Sequence, residues 1–94
     1  MFVVILTYRT DLAQIDDALQ DHIAWLDQQY ADGVFLASGP RVPRVGGVIL
    51  ARQLSREDLD SRLATDPFHQ RGLADYAVTE FVPARTAEGF AQLK

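Results

Sequence analysis

The chain has 94 residues, 48% of them hydrophobic, a formal charge of −4 and no cysteine. That describes one small domain with enough apolar side chains for a core, and excludes a disordered tail, disulfides, thiolate metal sites and cysteine nucleophiles. Eight of the nine basic residues are arginines that form no run, which argues against a nucleic-acid partner.

Phe2-Val3-Val4-Ile5-Leu6-Thr7-Tyr8 is dense in β-branched and aromatic residues and predicts a first strand. It is apolar at nearly every position, so both of its faces should be covered, one by helices and the other by something else. The segment lacks the charged leader and long apolar core of a signal peptide. No run approaches the ~20 apolar residues of a membrane span, so a cytoplasmic protein is expected, without a membrane partner.

A helix is expected from Asp11 to Asp32, capped by Thr10 or Asp11 and stopped by Gly33. Leu12, Ile15, Leu19, Ile23, Leu26 and Tyr30 recur in steps of three and four and form its apolar stripe. At about 100° per residue, His22 points to the edge of that stripe, towards Ala18 and Trp25. A titratable ring there is either a satisfied core histidine or the working group of a pocket.

Val34 to Ser38 predicts a second strand, ended by Gly39-Pro40, and Arg41-Val42-Pro43-Arg44 a loop. Val45 to Arg52 predicts a third strand entered through Gly46-Gly47, where two glycines suggest a bulge or a close approach to the backbone. The short connection implies an antiparallel hairpin. Ser55 caps a second helix with Leu59 and Leu63 as its apolar face, ending near Asp66-Pro67. Phe68 to Leu73 reads as a further turn, and Tyr76 to Val82 as the fourth strand. Arg85 to Lys94 is weakly amphipathic through Ala87, Phe90 and Leu93 and predicts a short helix.

Strand, helix, strand, strand, helix, strand is the split βαβ arrangement. It predicts a ferredoxin-like α+β domain, with both helices on one face of a four-stranded antiparallel sheet. The whole chain, 1–94, is one domain with a core over 1–83 and a C-terminal extension over 84–94. The other sheet face would expose more apolar surface than a soluble monomer usually shows, and predicts a homodimer packed sheet on sheet into a barrel-like assembly.

His22 followed by Trp25-Leu26, then Ala37-Ser38-Gly39-Pro40, Gly46-Gly47 and Asp66-Pro67-Phe68, follow one another in an order that resembles the YciI-like (YCII-related) family. These are small domains akin to the dimeric α+β barrels, and the resemblance spans roughly Met1 to Pro83. It implies a homodimer and a pocket in which His22 and Asp66 form a dyad, lined by Ser38, Gly39 and Pro40. Most members have no assigned activity. One branch looks like a lyase acting on a chlorinated hydroxyquinol, and related barrels include lactone isomerases and cofactor-free oxygenases. The short proline-rich loop and the C-terminal extension of this chain could reshape the pocket.

The chemistry such a pair performs is general. A free imidazole titrates near ~6.5, so small shifts make it a base or an acid at neutral pH. A carboxylate bonded to one ring nitrogen fixes the tautomer and leaves the other nitrogen for a substrate. The alternative is a core histidine and an aspartate that caps a turn. Ser38-Gly39 could offer a hydroxyl and a backbone N–H to an oxyanion, or be a strand end and turn. Trp25 and Phe68 are expected as pocket walls. His69 reads as a solvated helix residue, and Arg41 and Arg44 as solvated loop charges that could attract an acidic or phenolic substrate. The histidines lack the local His-x-x-x-His or Glu-x-x-His spacing of a metal site, so no metal is expected. The expectation is cofactor-free elimination or isomerisation of a small, mainly apolar ring compound. Its rivals are a metabolite-binding module without chemistry, and an interaction protein docking through the bare sheet face and the Phe90 tail.

Overall fold

β-branched density at the start of the chain places strand β1, Phe2–Tyr8, inside the sheet. The computed structural model describes residues 1–94. After β1 come α1 (Leu12–Ala31), β2 (Phe35–Pro40), β3 (Gly46–Ala51), α2 (Arg56–Leu63), α3 (Pro67–Gln70), β4 (Ala74–Glu80) and a 3-10 turn at Ala91–Leu93. The sheet order is β2-β3-β1-β4 with antiparallel neighbours throughout. β3 therefore lies between β1 and β2, and α1 carries the chain across it, as the ferredoxin-like topology requires. No helix is long and apolar enough to cross a membrane.

Strand alternation decides what the sheet buries. Val4 lies opposite Ile49 on one side and Val78 on the other, and with Phe2, Leu6 and Ala51 these residues pack under the helices. Val3, Ile5, Val48 and Leu50 point the other way and stay half-buried. That second face is apolar and carries no helix.

Several boundaries differ from the sequence reading. β2 does not stop at Ser38 but runs through Gly39 and Pro40, which lie opposite Val48 and Gly47. Proline is tolerated because β2 is an edge strand and needs no donor on its open side. The irregularity falls in β2 between Phe35 and Ala37, not at the two glycines. At Gly46 the reason for glycine is a close approach, since a Cβ there would run into the Leu6 carbonyl. β4 starts two residues earlier than expected, at Ala74, and ends at Glu80, although the Phe81 N–H still bonds the Met1 carbonyl at 2.8 Å. The tail forms only the turn at Ala91–Leu93, with Phe90 left 54% exposed. So short a segment gains too little from burial to offset helix nucleation.

The largest correction concerns α1. Its boundaries and its cap agree with the sequence, with Asp11 accepting the Gln14 N–H at 3.1 Å. Its buried face, however, is Ile15, Ala18, His22, Trp25 and Gln29, while Leu12, Ile23 and Tyr30 remain exposed. The helix is rotated so that His22 sits at the centre of the buried stripe. Two polar residues on that stripe are satisfied there. His22 bonds Asp66, and Gln29 donates to the Trp25 carbonyl at 3.1 Å and accepts from Arg62 Nη1 at 2.7 Å. Arg62 also donates to Asp32 at 2.7 Å, tying α2 to the end of α1, and this bond holds the Asp32 carboxyl below its ordinary range.

Candidate active site

Asp66 ends the turn after α2 and caps α3. Its backbone is extended, Pro67 occupies the first helical position, and its Oδ1 accepts the Phe68 N–H at 3.1 Å. The cap turns this carboxylate inward, where it is fully buried. The sheet and α1 then bring His22 to it, with Nδ1 2.7 Å from Asp66 Oδ1. A carboxylate only accepts, so Nδ1 carries the hydrogen of this bond, and in the neutral imidazole Nε2 is the nitrogen with a lone pair. The other carboxylate oxygen, Oδ2, accepts from the Tyr76 hydroxyl at 2.5 Å. Burial first, and then the Asp66 charge, push the Tyr76 phenol far above its ordinary range, so it stays a donor.

Aromatic packing holds the imidazole plane. Phe68 stacks on it with centroids 4.0 Å apart and planes within 5°, and Trp25 lies at 5.7 Å and 29°. Trp25 is itself fixed, its indole N–H donating to Thr65 Oγ1 at 2.9 Å and to the Arg62 carbonyl at 3.2 Å.

His22 and Phe68 line a cavity of about 500 Å³ whose walls are mainly Leu6, Leu19, Ile23, Leu26 and Ile49. Ser38, Gly39 and Pro40 line the same cavity from the edge strand. The Ser38 hydroxyl lies 2.7 Å from the Tyr30 hydroxyl, which orients it. Tyr8, Asp16 and Arg44 complete the lining. Arg44 Nη2 donates to Asp16 at 2.6 Å, so the proline loop is tied to α1, and this bond raises the guanidinium pKa further, with Tyr8 adding to it.

Of the residues singled out from the sequence, His22, Phe68, Ser38, Gly39 and Pro40 share one cavity, and Asp66 stands directly behind His22. Trp25 does not line it; it packs between His22 and Phe35, with its centroid 5.5 Å from the Phe35 ring. Tyr76, Tyr8 and Asp16 were not anticipated. Strand alternation carried a signal for Tyr76, since it shares the inward face of β4 with Val78. No group of three or more His, Asp or Glu side chains gathers where it could hold a metal ion.

A ferredoxin-like α+β domain, with a histidine backed by a buried carboxylate at the wall of an apolar cavity, is the class that fold and site define. The chain belongs to the YCII-related domain family, whose sequence model matches residues 1–82. It is similar in structure to the 5-chloro-2-hydroxyhydroquinone dehydrochlorinase of Burkholderia phenoliruptrix AC1100, solved in complex with 2,5-dihydroxybenzoquinone. The TM-score is 0.74 at 21% identity, over 85% of this chain and 91% of that one. No curated protein matches the sequence.

Proposed function

We propose that the cavity binds a small, mainly apolar ring compound and that His22 moves a proton on it, in an elimination or isomerisation that uses no redox cofactor. The observation that carries this reading is the 2.7 Å bond between His22 Nδ1 and the buried Asp66, made by a ring that also lines the cavity. Asp66 fixes the tautomer, Phe68 fixes the plane, and Nε2 is the nitrogen left to act. In an elimination, Nε2 takes a proton from the ring compound while the leaving group departs from the neighbouring carbon with its electron pair. In an isomerisation, Nε2 returns the proton at another carbon. Negative charge gathers on a ring oxygen in either case, and the Ser38 hydroxyl, held by Tyr30, is placed to donate to it. Gly39, Pro40 and the aliphatic walls shape the space. The structural neighbour acts on a ring compound of this kind, which makes 5-chloro-2-hydroxyhydroquinone the first compound to test.

The test is release of chloride or spectral change over a panel of halogenated hydroxyquinols and ring lactones, with wild type beside His22→Gln. We expect kcat/KM to fall about 10²- to 10⁴-fold in the variant, the usual contribution of a positioned acid–base group. A folded His22→Gln protein that turns over its substrate like wild type overturns the mechanism. A ligand bound but never converted by wild type would instead identify a metabolite-binding module.

We also propose that the apolar sheet face of Val3, Ile5, Val48 and Leu50 is covered by a second copy of the chain. The support is that this face has no helix over it while its opposite side builds the core. Light scattering at micromolar protein is expected to give twice the 10.5 kDa chain mass, and replacing Ile5 with Lys should return the monomer. A wild-type protein of single-chain mass would overturn this.

A further inference from the structure

From the three hydrogen bonds on Asp66, we infer that Tyr76 is a positioning residue that sets how readily the His22–Asp66 pair takes up a proton. The inference rests on the functional reading above for its purpose, though not for its test.

Asp66 is fully buried and receives His22 Nδ1 and the Phe68 N–H on Oδ1, with Tyr76 on Oδ2. The backbone donor belongs to the cap of α3 and would be there whatever the pair does. The Tyr76 hydroxyl is different, because it comes from the neighbouring strand β4 and is the one donor on Oδ2. Each donor draws negative charge out of the carboxylate and makes it a weaker partner for an imidazolium. Tyr76 thus works against protonation of His22, keeping the pair as neutral imidazole and carboxylate to lower pH. That is the state in which Nε2 can accept a proton.

Other ionisable groups around the pair are placed less directly. From β1, Tyr8 meets the edge of Phe68 at 6.1 Å and not the imidazole. From α2, the Arg62 side chain is turned to Gln29, Asp32 and Asp58. Asp21 of α1 and Arg71 after α3 pair with each other at 2.8 Å on the surface. His69 of α3 is exposed, with its ring 5.4 Å from that of Tyr76; its backbone N–H bonds the Asp66 carbonyl, and its ring makes no bond to the carboxylate. Tyr76 is the group whose hydrogen bond reaches the carboxylate itself.

The test follows the His22 ring by NMR through a pH titration, with His69→Gln as background so that one histidine remains. Three proteins are compared: the background alone, with Tyr76→Phe, and with Tyr76→3-fluorotyrosine. Losing the hydroxyl should raise the titration midpoint by about one pH unit, the scale of one hydrogen bond to a charged group. The more acidic fluorinated phenol should lower it by about a few tenths. Opposite signs are the diagnostic, because a tyrosine that merely filled space would give neither shift. An unmoved midpoint in folded Tyr76→Phe, or shifts of one sign in both, overturns the inference. Should Tyr76→Phe fail to fold, the fluorinated protein decides alone, a downward shift supporting and any other result overturning. No substrate is involved, so the titration succeeds or fails independently of the proposed reaction. With a substrate in hand, the acid limb of kcat/KM should move with the midpoint.

Discussion

Asp66→Ala should lose about 3–5 kcal/mol of folding stability, since each buried donor left without an acceptor costs about 1–3 kcal/mol. The side chain is fully buried and accepts from three donors. Alanine strands all of them in the core: an imidazole N–H, a peptide N–H and a phenol. It also removes the cap of α3, worth about 1 kcal/mol by itself. Asp66→Asn should lose much less, because its amide oxygen still accepts on the His22 and Phe68 side. Its NH2 must then face Tyr76, whose oxygen can accept. Urea unfolding of both variants reads the difference. Equal stability for Asp66→Ala and wild type would mean that the carboxylate does not organise the site. The asparagine variant has a second use. It keeps the fold but takes away the charge that favours an imidazolium at His22, so it should impair proton transfer while leaving ligand binding close to wild type.

The same residue shows where sequence reasoning reaches and where it stops. The strands, the helices, the caps at Asp11 and Ser55 and the order of elements rest on local patterns, and local patterns are visible in a sequence. The meeting of His22 with Asp66 spans 44 positions and was legible only through the family motif. The stripe of α1 failed for an instructive reason. Ranking faces by apolar residue type assumes that the most apolar face is the most buried. Leu19, Ile23 and Leu26 are apolar because they wall a cavity, while His22 and Gln29 are buried because their hydrogen bonds are satisfied. Tyr76 was missed because its partner is ten positions away on another element, and nothing in the local pattern of a strand marks a phenol that serves a carboxylate. Pro40 was read as a terminator because proline interrupts a ladder, yet the edge position of β2 leaves its missing donor on the open side.

Gly46→Ala should destabilise the domain by about 3 kcal/mol or more, although it adds one methyl group. Gly46 pairs with Thr7 at the end of the β1–β3 ladder, and its missing Cβ would run into the Leu6 carbonyl and lie 3.1 Å from the Thr7 Cα. Both obstacles are backbone, so no rotamer change can relieve them. β3 would have to move away from β1, breaking ladder bonds next to Leu6, which is in the core. Gly39 is the control. Nothing lies within 4 Å of a Cβ there, and it lines the cavity from the edge strand, so Gly39→Ala should stay within about 0.5 kcal/mol of wild type. Its methyl would change the cavity wall, and with it the fit of a ligand. Thermal or urea unfolding of the two variants separates the roles. A Gly46→Ala midpoint matching that of Gly39→Ala would contradict the close packing of β3 on β1. Because that packing also positions Leu6 and Ile49 in the cavity wall, even a Gly46→Ala protein that folds should bind more weakly, the wall having shifted.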